Sequence, residues 1–360
     1  MACNDPYITE LSSAGPACRA IGAEEEDRGD TPEYSKWRFS PPASKEWLQF
    51  DRDTFCRTIV EIAHEPGHAR MLFVGDSMSL HMMQALVVSL RAEHYSAMVP
   101  GEARPSFMRE EDYVPQLYHG THKNNAALAC DGQLYIQQQG TQSLAADYRG
   151  KVVFAEQLDW LRSFDVVVVV MLGWAVDLNA ALFWAESLLP RQGLLFRTAT
   201  IGHEQTGAQY NHSWNPTDVN PMLQNRPHRA PLRSPQEVVS YYKTVRGHES
   251  WMGLRKRQEK VMRELEERGL VVADFFYLAA MTWDRHRDPL HFCVPGPNDR
   301  WNDVVFNWLV RGHIRDFRAW AAAFSREVTL LGGLTNSDNA AFGRDHDLSG
   351  GDPDPMIETE

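Results

Sequence analysis

Apolar positions along the chain follow two periods. Short, continuously apolar runs occur at "RMLFVG" (Arg70–Gly75), "FDVVVVVMLG" (Phe164–Gly173), "GLLFRTAT" (Gly193–Thr200) and "LVVADFFYL" (Leu270–Leu278). Runs of that length ending near glycine or polar residues predict buried strands. The second run centres on five consecutive β-branched valines, as suits a central parallel strand covered on both faces. "GQLYIQQQ" (Gly132–Gln139) is also strand-like. Between the runs the spacing lengthens to a helical repeat. Phe55, Ile59 and Ile62 mark a helix over residues 51–65, and Met78, Met82, Ala85, Leu86, Val88 and Leu90 mark another over 78–91. "ALFWAESLLP" predicts a helix stopped by Pro190, and "SPQE" (Ser234–Glu237) carries a capping box with proline at the first helical position. That helix runs with interruption to about Arg268, where Gly269 is placed to end it. "DRWNDVVFNWLVRGHI" (Asp299–Ile314) is helical, with further helix to about Phe324.

Strands alternating with helices predict a three-layer α/β fold around a mostly parallel sheet. Residues 1–33 read as a variable N-terminal segment containing the acidic run Glu24–Asp27. Residues 34–330 read as the main domain, with a small lobe drawn from 95–150 and 202–233, and 331–360 read as a disordered tail. The His-, Asn- and Pro-rich stretch at 202–233 is long enough for a loop in a compact domain to suggest function.

Composition narrows the function classes. With 360 residues, 43% of them hydrophobic, the chain buries a substantial core. A formal net charge of -12 argues against nucleic acid or an anionic membrane as the main partner. No apolar run reaches the roughly 18 residues of a membrane span, and "MACNDPYITE" lacks the basic and apolar regions of a signal peptide. Cys3, Cys18, Cys56, Cys130 and Cys293 have no CxxC spacing, so a zinc site is not expected, and no metal or other cofactor is implied. Their wide separation fits either long-range disulfides or buried thiols.

Candidate chemistry begins at "MLFVGDSMSLHMM" (Met71–Met83). Ser77 falls on a turn from strand to helix, beyond the carboxyl end of a strand, where such sheets gather functional groups. Asp76 or Ser77 there is either a helix cap or, for the serine, a nucleophile whose oxyanion is met by helix N-terminal amides. A nucleophile needs a base and an orienting group. In "DPLHFCVPGPNDRW", Asp288 precedes His291 by three residues, so the carboxylate can reach one imidazole nitrogen and leave the other for the serine.

GDS after the first strand with DxxH before the last helices is the layout of SGNH/GDSL hydrolase-like enzymes. The longer blocks "FVGDSMSLHM" (Phe73–Met82) and "DPLHFCVPGPNDRWN" (Asp288–Asn302) resemble one branch of that group. This branch is the trichome birefringence-like proteins, or PC-esterase domains, which include plant polysaccharide O-acetyltransferases. Weaker similarities occur at "YSKWRFSPP", "FDVVVVVMLGW" and "LLFRTATIGHE", so the resemblance covers most of residues 34–312. The chain departs from the family at Leu80-His81, where Arg-Asn is usual, and at Met171-Leu172-Gly173, where Asn-Thr-Gly is usual.

The resemblance implies an SGNH-hydrolase-like fold and a Ser77–His291–Asp288 triad, with the oxyanion held by the Ser77 N–H and Gly173. It implies double displacement of acetyl from a donor co-substrate, through an acyl-enzyme, to a polysaccharide hydroxyl. The same residues would serve a carbohydrate O-acetyl esterase, and a glycan-binding protein with a degraded site is a third reading. Asp76, Trp174, Arg197, His203 and Trp214 are assigned to substrate binding, with core packing or a surface loop contact as the alternative for the last four. Asn124 and Asn125 are candidates for an oxyanion asparagine by position. A Golgi or secretory setting is implied by the resemblance alone.

Overall fold

A computed structural model of the chain describes residues 48–98, 104–110, 124–140, 158–171, 178–188, 192–200, 234–244, 248–281 and 297–311. Their strands are β1 (Ala69–Gly75), β2 (His94–Met98), β3 (Asn124–Ala129), β4 (Leu134–Gly140), β5 (Val166–Met171), β6 (Gly193–Thr198) and β7 (Val271–Ala273). The helices are α1 (Arg52–Glu61), α2 (Ser77–Leu90), α3 (Leu158–Arg162), α4 (Leu178–Ser187), α5 (Pro235–Thr244), α6 (His248–Glu267), α7 (Phe276–Met281) and α8 (Pro297–Arg311). The fold is α/β.

All seven strands share one mixed sheet in the order β2-β3-β4-β1-β5-β6-β7. β4, β1, β5, β6 and β7 run parallel, while β3 pairs antiparallel with β4 and β2 with β3. The strands contributed by residues 95–150 therefore belong to the main sheet. Numbered among themselves, the parallel strands stand in the doubly wound order 2-1-3-4-5. That order reverses between β1 and β5, the place where such sheets open a ligand crevice at their carboxyl ends.

Alternation along the central strands divides the core by face. Met71, Phe73, Val166, Val168 and Leu195 pack with side chains of α1, α2 and α8, including Phe55, Met82 and Trp308. Leu72, Val74, Val167, Val169 and Phe196 pack with those of α3, α4 and α6, including Trp160, Trp184 and Leu265. Each central strand is thus apolar on both sides, which explains the absence of polar alternation in "VVVVVM".

Two local readings come out differently. "LVVADFFYL" is not one strand: β7 stops at Ala273, and the Asp274 carboxylate accepts from Phe276 N at 3.1 Å, starting α7. Capping by a short acceptor overrides the strand propensity of the aromatic residues that follow. The cysteine alternative resolves for one pair, because Cys56 on α1 and Cys130 after β3 form a disulfide with a Cα–Cα distance of 5.4 Å. It closes a chain segment of sequence separation 74. Replacing both cysteines by alanine is expected to lower stability by about 2–4 kcal/mol, through the loop-closure entropy returned to the unfolded chain. Urea unfolding with and without reductant checks this, since reductant should shift the parent midpoint and leave the variant's unchanged. Among the described residues no helix is long and apolar enough to cross a membrane.

Candidate functional site

The turn from β1 into α2 is built by three consecutive residues with different tasks. Gly75 ends β1 with φ 150, and a Cβ there would overlap Val170 Cγ1 and Ser79 Oγ. Only glycine lets the strand pass this close to β5 while turning into α2. A Gly75→Ala variant should lose about 2 kcal/mol or more from overpacking and backbone strain. A thermal melt indistinguishable from the parent's would contradict that placement.

Asp76 is the N-cap of α2 in extended conformation, and its Oδ1 accepts from Met78 N at 3.1 Å and Ser79 N at 3.3 Å. Ser77 is the first helical residue and is half-buried. The cap and the candidate nucleophile are therefore two neighbouring residues, so the choice between them offered by the sequence does not arise.

Ser79, the other hydroxyl of the turn, is already committed. It is buried, receives Arg197 Nη2 at 2.8 Å and donates to Val74 O at 3.4 Å. Arg197, for which the sequence offers a sugar groove or core packing, is 0% exposed and lies under the turn. β6 carries it to the level of Asp76, whose Oδ1 lies 3.4 Å from Nη2. Its Nη1 donates to Thr198 O at 3.2 Å, and its guanidinium stands 5.9 Å from the Trp301 ring centre. Burial pulls the Arg197 pKa down to about 10 while the Asp76 charge opposes the fall, so the side chain remains a cation at neutral pH. The Asp76 carboxylate faces the helix amides and Arg197.

A second buried chain reaches the turn from β3 and β4. Gln84 Nε2 donates to the Tyr95 hydroxyl at 3.1 Å, and that hydroxyl donates to Asn125 Oδ1 at 2.7 Å. Asn125 Nδ2 then donates to Gln138 Oε1 at 3.0 Å, and Gln138 Nε2 to Gly75 O at 3.3 Å. Burial pushes the Tyr95 phenol up to about 12, against the Gln84 bond that lowers it, so its proton stays in the chain. Asn125, a candidate oxyanion donor, thus spends its amide on Gln138 and supports the Gly75 carbonyl. The sequence signal that marks this chain is the polar run Gln137–Gln139 inside an otherwise apolar strand.

The end of the second sequence block meets the first. Residues Pro297–Asn302, the end of the second block, form the start of α8. Asn302 Nδ2 donates to Met82 O in the first block at 3.0 Å, across 220 residues of sequence. Trp301 is fully buried, stacks on Phe275 at 5.3 Å and faces Arg197. Asp288, His291, Gly173, Trp174, His203 and Trp214 lie outside the described residues.

Further along the same carboxyl edge, a group absent from the sequence reading ties β6 to β7. The Asp274 carboxylate receives Thr198 Oγ1 at 3.2 Å, and both its oxygens lie 2.8 Å from Arg255 Nη1. Arg255 also holds Glu259 at 2.7 Å and stands 4.9 Å from the Tyr277 ring centre. Burial alone would lower the Arg255 pKa, but the Asp274 and Glu259 charges outweigh it and raise it. No group of histidine, cysteine or carboxylate side chains suited to a metal occurs among the described residues. No family model matches the chain, and no curated protein matches it.

Proposed function

We propose that this chain is a serine-dependent O-acyltransferase that moves an acetyl group to a polysaccharide hydroxyl through an acyl-enzyme on Ser77. The observation carrying this reading is the meeting of the two catalytic blocks at α2, where Asn302 bonds the Met82 carbonyl and Trp301 lies beside the cation that holds the Ser77 turn. The reading adopts a three-layer SGNH-hydrolase-like arrangement, with Ser77 at the reversal of the parallel strand order, and the division of the core by face supports it. The Cys56–Cys130 disulfide suits an oxidising compartment and so supports a secretory setting.

In this reading His291, oriented by Asp288, takes the Ser77 proton as Oγ attacks the acetyl carbonyl. The Ser77 N–H, at the positive end of α2, and Gly173 hold the tetrahedral oxyanion. The donor's leaving group departs with the proton from His291. His291 then deprotonates the acceptor hydroxyl, which attacks the acyl-enzyme and regenerates Ser77. Trp174, His203 and Trp214 would offer rings to the sugar.

If water replaces the sugar, the same residues make an acetyl esterase, and exclusion of water decides the outcome. The deciding measurement sets acetyl transfer to an oligosaccharide beside hydrolysis of the same donor. Transfer is expected to exceed hydrolysis once acceptor is saturating. Hydrolysis dominating at every acceptor concentration would leave the esterase in its place. A folded protein that neither reacts with a serine-directed phosphonate at Ser77 nor turns over would point to the glycan-binding alternative.

A further inference from the structure

Arg197 is attached on both sides of Ser77. Its Nη2 holds Asp76, the residue before, and the hydroxyl of Ser79, two residues after. Capping alone does not require it: an asparagine would satisfy the same amides with no charge to balance. A buried Arg–carboxylate pair is a weak source of stability, and here Arg197 Nε has no hydrogen-bond partner among the described residues. The arrangement places a carboxylate at a helix N-terminus and a compensating cation behind it. Left alone, the Asp76 charge would oppose the positive potential that the first turn of α2 offers to an oxyanion.

We propose that Arg197 is a positioning residue for Ser77: it fixes the turn on both sides of the nucleophile and cancels the Asp76 charge where negative charge develops during acyl transfer. The proposal rests on the reading of Ser77 as nucleophile. Arg197 touches no substrate in it, so its loss falls on kcat and not on KM.

The test uses the full chain and hydrolysis of 4-nitrophenyl acetate as the probe reaction, with Ser77→Ala as reference. Arg197→Met is expected to lower kcat about 100-fold, the scale of losing an oxyanion stabiliser, with KM within about threefold. Arg197→Lys should recover part of the loss. The pair Asp76→Asn/Arg197→Met leaves no charge to cancel and keeps a capping side chain, so it should regain about tenfold over Arg197→Met. It also keeps the question open should the single variant fail to fold. A folded Arg197→Met with parental kcat, a loss confined to KM, or a neutral pair no better than the single variant would each overturn the proposal. Activity surviving Ser77→Ala would instead remove the nucleophile reading on which it rests. An inactive Ser77→Ala beside a fully active Arg197→Met would remove this inference alone.

Discussion

Ser77→Ala is expected to reduce turnover by at least about 10³-fold while leaving the unfolding temperature within about 2 °C of the parent. The two halves of that result have separate causes. The side chain lost is one hydroxyl on the first residue of α2, half-buried, in a helix whose cap is supplied by Asp76 and whose second serine is held by Arg197. Alanine is a good helix former and leaves those bonds in place. The chemistry, by contrast, has no substitute, since Ser79 is buried and bonded to Arg197 Nη2 and Val74 O. His291→Ala should produce a comparable loss, and combining the two should add little, because members of one catalytic unit are not additive. Steady-state rates with a calorimetric scan of each variant check this. A Ser77→Ala protein retaining a tenth of parental activity would remove the acyl-enzyme.

Asp274→Ala is the substitution expected to cost the fold most, about 3–5 kcal/mol. It takes from Arg255, whose side chain is 5% exposed, the more buried of two carboxylate partners and leaves Glu259 to offset that burial. It also takes the acceptor from Thr198 Oγ1 and the cap from α7. Arg255→Met alone should be costly because it leaves the carboxylate buried. The double variant Asp274→Asn/Arg255→Met, which keeps a cap and no charge, should be more stable than either single charge deletion. Denaturant unfolding of Asp274→Asn, Arg255→Met and their combination closes the cycle, and strictly additive losses would mean the two groups do not act as a pair.

How far the sequence carries the argument depends on what each residue's task leaves in the local pattern. β1, β5 and β6 and helices α1, α2 and α8 are legible because burial imposes a period on consecutive residues. Gly75, Asp76 and Ser77 are legible because a strand, a glycine and a cap must follow one another to make that turn. Arg197 is not. A cation at the end of an apolar strand looks the same whether it faces a groove or a half-buried carboxylate 121 residues earlier in the chain. Asp274 is hidden for a similar reason, since its aromatic neighbours read as strand until the carboxylate is seen to cap. The Cys56–Cys130 bridge depends on α1 lying against the turn after β3, which no spacing states. The antiparallel addition of β2 and β3 is set by pairing between distant segments, and "HYSAM" has too little pattern to announce it.

The place of β1 in the sheet also sets a timetable for the chain as it is made. Ala69 pairs with Leu134 on one side, and Met71 with Val166 on the other. A ribosome adding about 5–20 residues each second makes β1 wait roughly 5–20 s for its second neighbour. Cys56 and Cys130 have both been synthesised before β5 begins. The bridge can therefore close first and hold α1 against the β3–β4 hairpin, while the apolar strand β1 still lacks one side. An oxidant that acts late would leave that strand exposed longest, so the yield of folded protein should follow when oxidation happens as well as whether it does.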